Sequence, residues 1–167
     1  FLVPPAAMTA WAAWQAPYAE RPVPGGSAAL QAVGDGVWMI AGGWNVMVVR
    51  QADGLVVVEA PQSAGYSVKI LALLAQSFPS VPVKALVTTT DSLWHFAGIR
   101  TYVAHGIPIY ALGLTVPDLQ RFIAAPHTFD PDELSRKPVK AKWRAISGPT
   151  TLGAGPNRLV IYPIGGQ

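Results

Sequence analysis

Apolar residues change their period along this chain, and the changes predict its elements. From Leu30 they come in short runs, with Leu30 to Val33 and Val37 to Ile40 flanking Gly34-Asp35-Gly36. Asn45 to Arg50 and Leu55 to Ala60 flank Gln51-Ala52-Asp53-Gly54 in the same way. Gly and Asp between such runs supply the backbone conformations of tight turns, so two hairpins are predicted. Leu55-Val56-Val57-Val58 does not alternate with polar residues, which predicts a strand covered on both faces. Between Tyr66 and Phe78 the period turns helical: Ile70, Leu71, Leu74 and Phe78 share a face, and Pro79 stops the helix. Ala85 to Thr88 then reads as a buried strand, completing a right-handed β-α-β unit.

The stretch from Ala85 to Tyr110 reads strand, loop, helix, strand. Phe96, Ile99, Tyr102 and Val103 recur at helical spacing, Gly106 falls where a helix end takes a left-handed residue, and Ile107 opens the next strand. Thr115-Val-Pro-Asp118 resembles a capped helix start, with Leu119, Phe122 and Ile123 as its apolar face and Pro126 beyond its end. Lys140, Lys142 and Arg144 alternate with Val139, Ala141, Trp143 and Ala145, which puts the charges on one outward strand face that deters edge pairing. Thr150 to Gly153 and Leu159 to Ile164 are the last predicted strands. Residues 1–28 carry five prolines with Trp11 and Trp14, a mixture that predicts an extended arm packed on the domain or reaching a partner.

Composition narrows the classes. With 51% hydrophobic and 13% charged residues, the chain is expected to bury a sizeable core in one domain. A formal charge of +3 gives little steering toward nucleic acid, and the basic stripe is not joined to an exposed aromatic motif, so no nucleic-acid function is expected. No stretch reaches the length of a membrane span. The absence of cysteine removes thiolate ligands, disulfides and a Cys nucleophile and decides no compartment. Phe1 and the apolar strand near Gln167 suggest that both ends are cut.

Candidate chemistry gathers where strand Ala85 to Thr88 ends, in Thr89-Thr90-Asp91-Ser92-Leu93-Trp94-His95. Carboxyl ends of strands are where open α/β folds build their sites. Glu59 closes a neighbouring strand, either as a carboxylate orienting the loop after Thr88 or as an acid paired locally. Asp91, Ser92 and His95 contain the residue types of a hydrolytic triad, but three neighbours on one loop rarely take nucleophile, base and orienter positions. His105, before Gly106 at a helix end, and His127, beside Asp130 and Asp132, are expected to make local hydrogen bonds.

Val87-Thr88 through Gly98, with Val33-Gly-Asp-Gly-Val-Trp-Met-Ile, Gly42-Gly-Trp-Asn and Asp53-Gly-Leu-Val-Val-Val-Glu-Ala-Pro upstream and Leu159-Val-Ile-Tyr-Pro-Ile-Gly-Gly downstream, resembles the metallo-β-lactamase superfamily. In that family a strand ending in Val-Thr runs into His-x-His-x-Asp-His-x-x-Gly-Gly. The resemblance covers residues 29–167 and implies the N-terminal half of an αββα sandwich: an α/β fold whose mixed sheet, antiparallel at its start, has helices on one face. Its other face would be apolar and would await a C-terminal half.

Counted back from Gly98, His95 matches the last motif His, while Trp94, Ser92 and Thr90 replace the Asp and the two earlier His. Counted forward from Val87-Thr88, Thr89 and Asp91 take the two His positions. Gln167 stands where the resemblance places the family's next His. A zinc centre takes about three or four ligands, and only His95 and Asp91 remain as candidates. The resemblance therefore implies a domain with a degenerate metal site, holding no cofactor by itself. Two other readings stand beside it: a hydrolase of a small-molecule substrate whose zinc or other divalent-metal site is completed by a missing half or second subunit, and an interaction module using the arm and the basic stripe.

Overall fold

The computed structural model describes residues 30–164. The N-terminal arm, Ala29 and Gln167 therefore lie outside the described residues. β1 (Gln31–Gly34), β2 (Val37–Ile40), β3 (Val46–Gln51) and β4 (Gly54–Val58) form an antiparallel meander, and β5 (Val83–Val87), β6 (Ile109–Leu112) and β7 (Trp143–Ile146) continue it in parallel. Spatial order follows chain order throughout this seven-stranded sheet. The turn chemistry matches the reading from sequence, since Gly36 has φ +69° and Gly54 φ +147°.

Helices α1 (Ala64–Ser77), α2 (Leu93–Phe96), α3 (Ile99–Ala104), α4 (Val116–Ala124) and α5 (Glu133–Arg136) supply the crossovers. Ile70 and Leu74 of α1, Ile99, Tyr102 and Val103 of α3, Leu119 of α4 and Leu134 of α5 join Val46, Val48, Leu55, Val57, Leu86 and Ile109 in one core. All the described helices thus lie on one face of the sheet. Alternation sends Val49, Val56, Ala85 and Val87 to the other face, where they form a second apolar cluster with Leu152, Leu159 and Ile161. The uninterrupted valines of β4 are covered on both sides, as their pattern predicts.

Three local expectations need correction. The helix expected between Phe96 and Val103 is two helices, broken at Ala97-Gly98, where Gly98 leaves the helical conformation with ψ 3° and its N–H bonds the Ala60 carbonyl at 2.8 Å. Thr115 does not cap α4; its backbone is helical and its hydroxyl donates to the Leu112 carbonyl at 2.9 Å. The strand expected to reach Ala60 ends at Val58, since Glu59 turns to φ +77°. The end of α3 agrees with its sequence: Gly106 N–H bonds the Val103 carbonyl at 2.8 Å and Ile107 N–H the Tyr102 carbonyl at 3.0 Å, with Gly106 at φ +67°.

The last strands, β8 (Thr150–Leu152) and β9 (Leu159–Ile161), form a separate antiparallel pair lying on the second sheet face. Buried Gln51 at the end of β3 anchors this hairpin, its Nε2 donating to the Leu152 carbonyl at 2.8 Å and the Asn157 carbonyl at 2.7 Å. Gln51→Leu keeps the bulk and removes both donors. It is expected to cost about 1–3 kcal/mol and to speed amide exchange in β8 and β9 well before β4 and β5. Exchange that rises equally in all four strands would show that Gln51 does not anchor the hairpin in particular.

Candidate functional site

Because β4, β5 and β6 run parallel and β3 starts where β4 ends, their loops meet at one end of the sheet. Four segments converge there: 41–45 before β3, 59–63 after β4, 88–92 after β5 and 113–115 after β6. Main-chain bonds lace the second to the end of β5, to α2 and to Gly98. Glu59 N–H donates to the Val87 carbonyl at 2.9 Å, Ala60 N–H to His95 at 2.9 Å, Gln62 N–H to Trp94 at 3.1 Å, and Gly98 N–H to Ala60 at 2.8 Å.

Glu59 is the hub. It is 7% exposed, and its Oε1 accepts from the Thr89 N–H at 2.7 Å and the Thr89 hydroxyl at 2.5 Å. Its Oε2 accepts from His95 Nδ1–H at 3.1 Å. A buried carboxylate is tolerated when its oxygens are matched by donors in this way. Glu59 and Gln62 both have positive φ, +77° and +68°, conformations costing a non-glycine residue on the order of 1–3 kcal/mol each. The contacts of Glu59 hold the first of these in place.

The remaining sequence candidates surround this pair without converging on it. Thr90 Oγ1 accepts from the Ser92 N–H at 3.1 Å, so it is used inside the loop. Ser92 precedes α2 without making a side-chain cap, and Asp91 is exposed. Trp94 is stacked on Trp44, with ring centroids 5.6 Å apart and planes 2° from parallel, and Trp44 meets His95 edge-on at 6.3 Å. His105 pairs with Glu133 at 3.2 Å, away from these loops, and His127 lies edge-on to Phe122 at 6.4 Å.

Sequence reasoning missed two groups. Trp44 carries the only signal that could have found it, an aromatic residue after Gly42-Gly43 in a loop at the strand end. Arg100 gave none: at 3% exposure it bonds Asp132 through Nε at 2.5 Å and a terminal nitrogen at 2.9 Å, as well as Ser135 Oγ at 2.9 Å and the Ile123 carbonyl. Its guanidinium is the main reason that the Asp132 carboxyl stays well below the ordinary carboxylate range.

The donor set of the described residues does not fit a zinc centre. Among the described residues no three His, Asp or Glu side chains gather as a metal site requires. A cleft of about 330 Å³ adjoins Glu59's partner Thr89, between the sheet's second face and the segment 159–164, lined by Val58, Val87, Leu112, Ile146 and Ile161 among others.

No protein-family model matches the chain, and no curated protein is significantly similar to it. Solved structures are. A metallo-beta-lactamase from Pontibacter korlensis superposes with a TM-score of 0.56 at 16% identity, over 80% of this chain and 59% of that one. The metallo-beta-lactamase FIM-1 from Pseudomonas aeruginosa, in its mono-zinc form, gives 0.45 at 20% identity over 53% and 45%. This chain thus spans less than two thirds of the length of the Pontibacter protein. The order and pairing of its strands, the helices on one face and the Pontibacter superposition together show that the chain has the metallo-β-lactamase fold.

Proposed function

We propose that this is a metallo-β-lactamase-fold domain with a degenerate metal site, serving in binding or as a scaffold rather than in metal-dependent hydrolysis. The observation that carries the reading is how the motif positions are spent. Trp94 is stacked on Trp44, Thr90 bonds within its own loop, and both oxygens of Glu59 are taken by Thr89 and His95. The sheet's second apolar face is already covered by β8 and β9, and the exposed Tyr162 and Ile164 beside them suit a protein partner or a further part of the fold. No described helix is long and apolar enough to cross a membrane.

Elemental analysis of the dialysed protein tests this. Zinc, manganese and iron are each expected well below the roughly one equivalent that a site of about four ligands would hold. A metal near one equivalent, lost in His95→Ala, would replace the reading with that of a hydrolase whose site is completed from outside the described residues. One observation favours that second reading: His95 bonds a carboxylate through Nδ1, the arrangement that orients ligand histidines, and its ring is 35% exposed.

A further inference from the structure

We propose that the open face of Trp94 is a stacking site for a flat aromatic ring that carries no negative charge, a proposal that rests on reading this end of the sheet as a binding site. Trp94 is 54% exposed although Trp44 covers one side of its indole. A ring covered on one side keeps that much exposure through its other face and edges. Exposed aromatic faces prefer offset-stacked or edge-on partners with ring centroids about 4.5–7 Å apart, and the Trp44 pair already shows the stacked geometry.

The platform is held from beneath. Trp44 lies in a loop turned by the Gly42 N–H bonding Asn45 Oδ1 at 3.3 Å, and it abuts His95, which Glu59 fixes. The Trp94 carbonyl is tied to Gln62 N–H at 3.1 Å. Such preorganisation lowers the cost of ordering on binding.

Surrounding chemistry selects the ligand. Segments 41–45, 59–63, 88–92 and 113–115 contain no lysine or arginine, while exposed Asp91 adds a negative charge, so an anion is disfavoured. Leu93 at 48% and Leu114 at 80% exposure supply apolar surface at this end of the sheet. Both oxygens of Glu59 are already satisfied, so that carboxylate is not free to bind a ligand.

The test is a titration of the 15N-labelled protein with 2-naphthol, following the indole N–H signals. Saturable shifts of Trp44 and Trp94 are expected with a dissociation constant on the order of 1 mM, a sensible affinity for so small a ligand. Trp143 on β7 should stay still, and cyclohexanol and naphthalene-2-sulfonate should bind more weakly. Trp94→Ala should weaken binding about tenfold or more, and Trp94→Phe should restore most of it; unchanged thermal midpoints would show that both variants fold. No saturable shift, an equal response to cyclohexanol, tighter binding of the sulfonate, or binding indifferent to Trp94→Ala would overturn the proposal. Metal analysis on the same sample separates the two readings: bound metal alongside Trp94-dependent naphthol binding would sink the scaffold reading and leave the stacking site standing.

Discussion

Arg100→Ala is expected to cost about 3 kcal/mol, because removing one member of a buried pair leaves the other charge uncompensated. The side chains of Arg100 and Asp132 are 4% and 13% exposed. Asp132 keeps some solvent and its cap on α5, where Oδ1 accepts from Ser135 N–H at 2.8 Å, so the low end of the range for broken buried pairs applies. Arg100 joins α3 to α5 and to the end of α4 through the Ile123 carbonyl. Its loss is therefore expected to loosen residues 123–136 together. A denaturation midpoint implying less than about 1 kcal/mol, the worth of an exposed pair, would show that the pair is not buried in effect.

The same pair fixes the acid limb of stability. The carboxyl of Asp132 is held below its ordinary value of 3.8, first by its bond to Arg100 and then by Ser135, against a desolvation that works the other way. A depressed folded-state pKa gives stability that is complete above the ordinary value and is lost as pH falls below it toward the folded value. The gap between wild type and Arg100→Ala is therefore expected to be full at neutral pH and to narrow below about pH 4. A gap that widens on acidification would reverse the sign and rule this account out.

Gly98→Ala is expected to cost about 1–3 kcal/mol or more through overpacking, and to disturb the site with it. The backbone of Gly98 has φ −90°, open to any residue, so the obstruction is space. A Cβ there would stand 2.0 Å from Ser67 Oγ, 2.6 Å from the Ser63 carbonyl and 3.1 Å from the Ala60 carbonyl. The serine hydroxyl can rotate away. The two carbonyls belong to the segment that bears Glu59, so relief there moves the partner of His95. Adding Ser67→Ala should recover only part of the loss, and full recovery would place the clash on the side chain alone. The stacked Trp44–Trp94 pair should report the shift through its fluorescence.

Sequence by itself determined most strands of this fold and its first described helix. Period-two and uninterrupted apolar runs specify β1 to β6, and the helical spacing of Ile70, Leu71, Leu74 and Phe78 specifies α1. Gly36, Gly54 and Gly106 mark the turns and the helix end, because these signals come from residues within a few positions of each other. The resemblance to metallo-β-lactamases pointed to the right fold and to one region, residues 59 and 89–95, as the candidate site.

Tertiary structure alone decided what those residues touch. Glu59 meets Thr89 and His95, Trp44 meets Trp94, Gln51 meets Leu152 and Asn157, and Arg100 meets Asp132. Each partner is at least thirty positions away in the chain. It also broke the helix at Gly98 and detached β8 and β9 from the main sheet, since close backbone approach and the choice of sheet face depend on how finished elements pack. Local periodicity records which side of an element is buried; it holds no record of which distant side chain is buried against it.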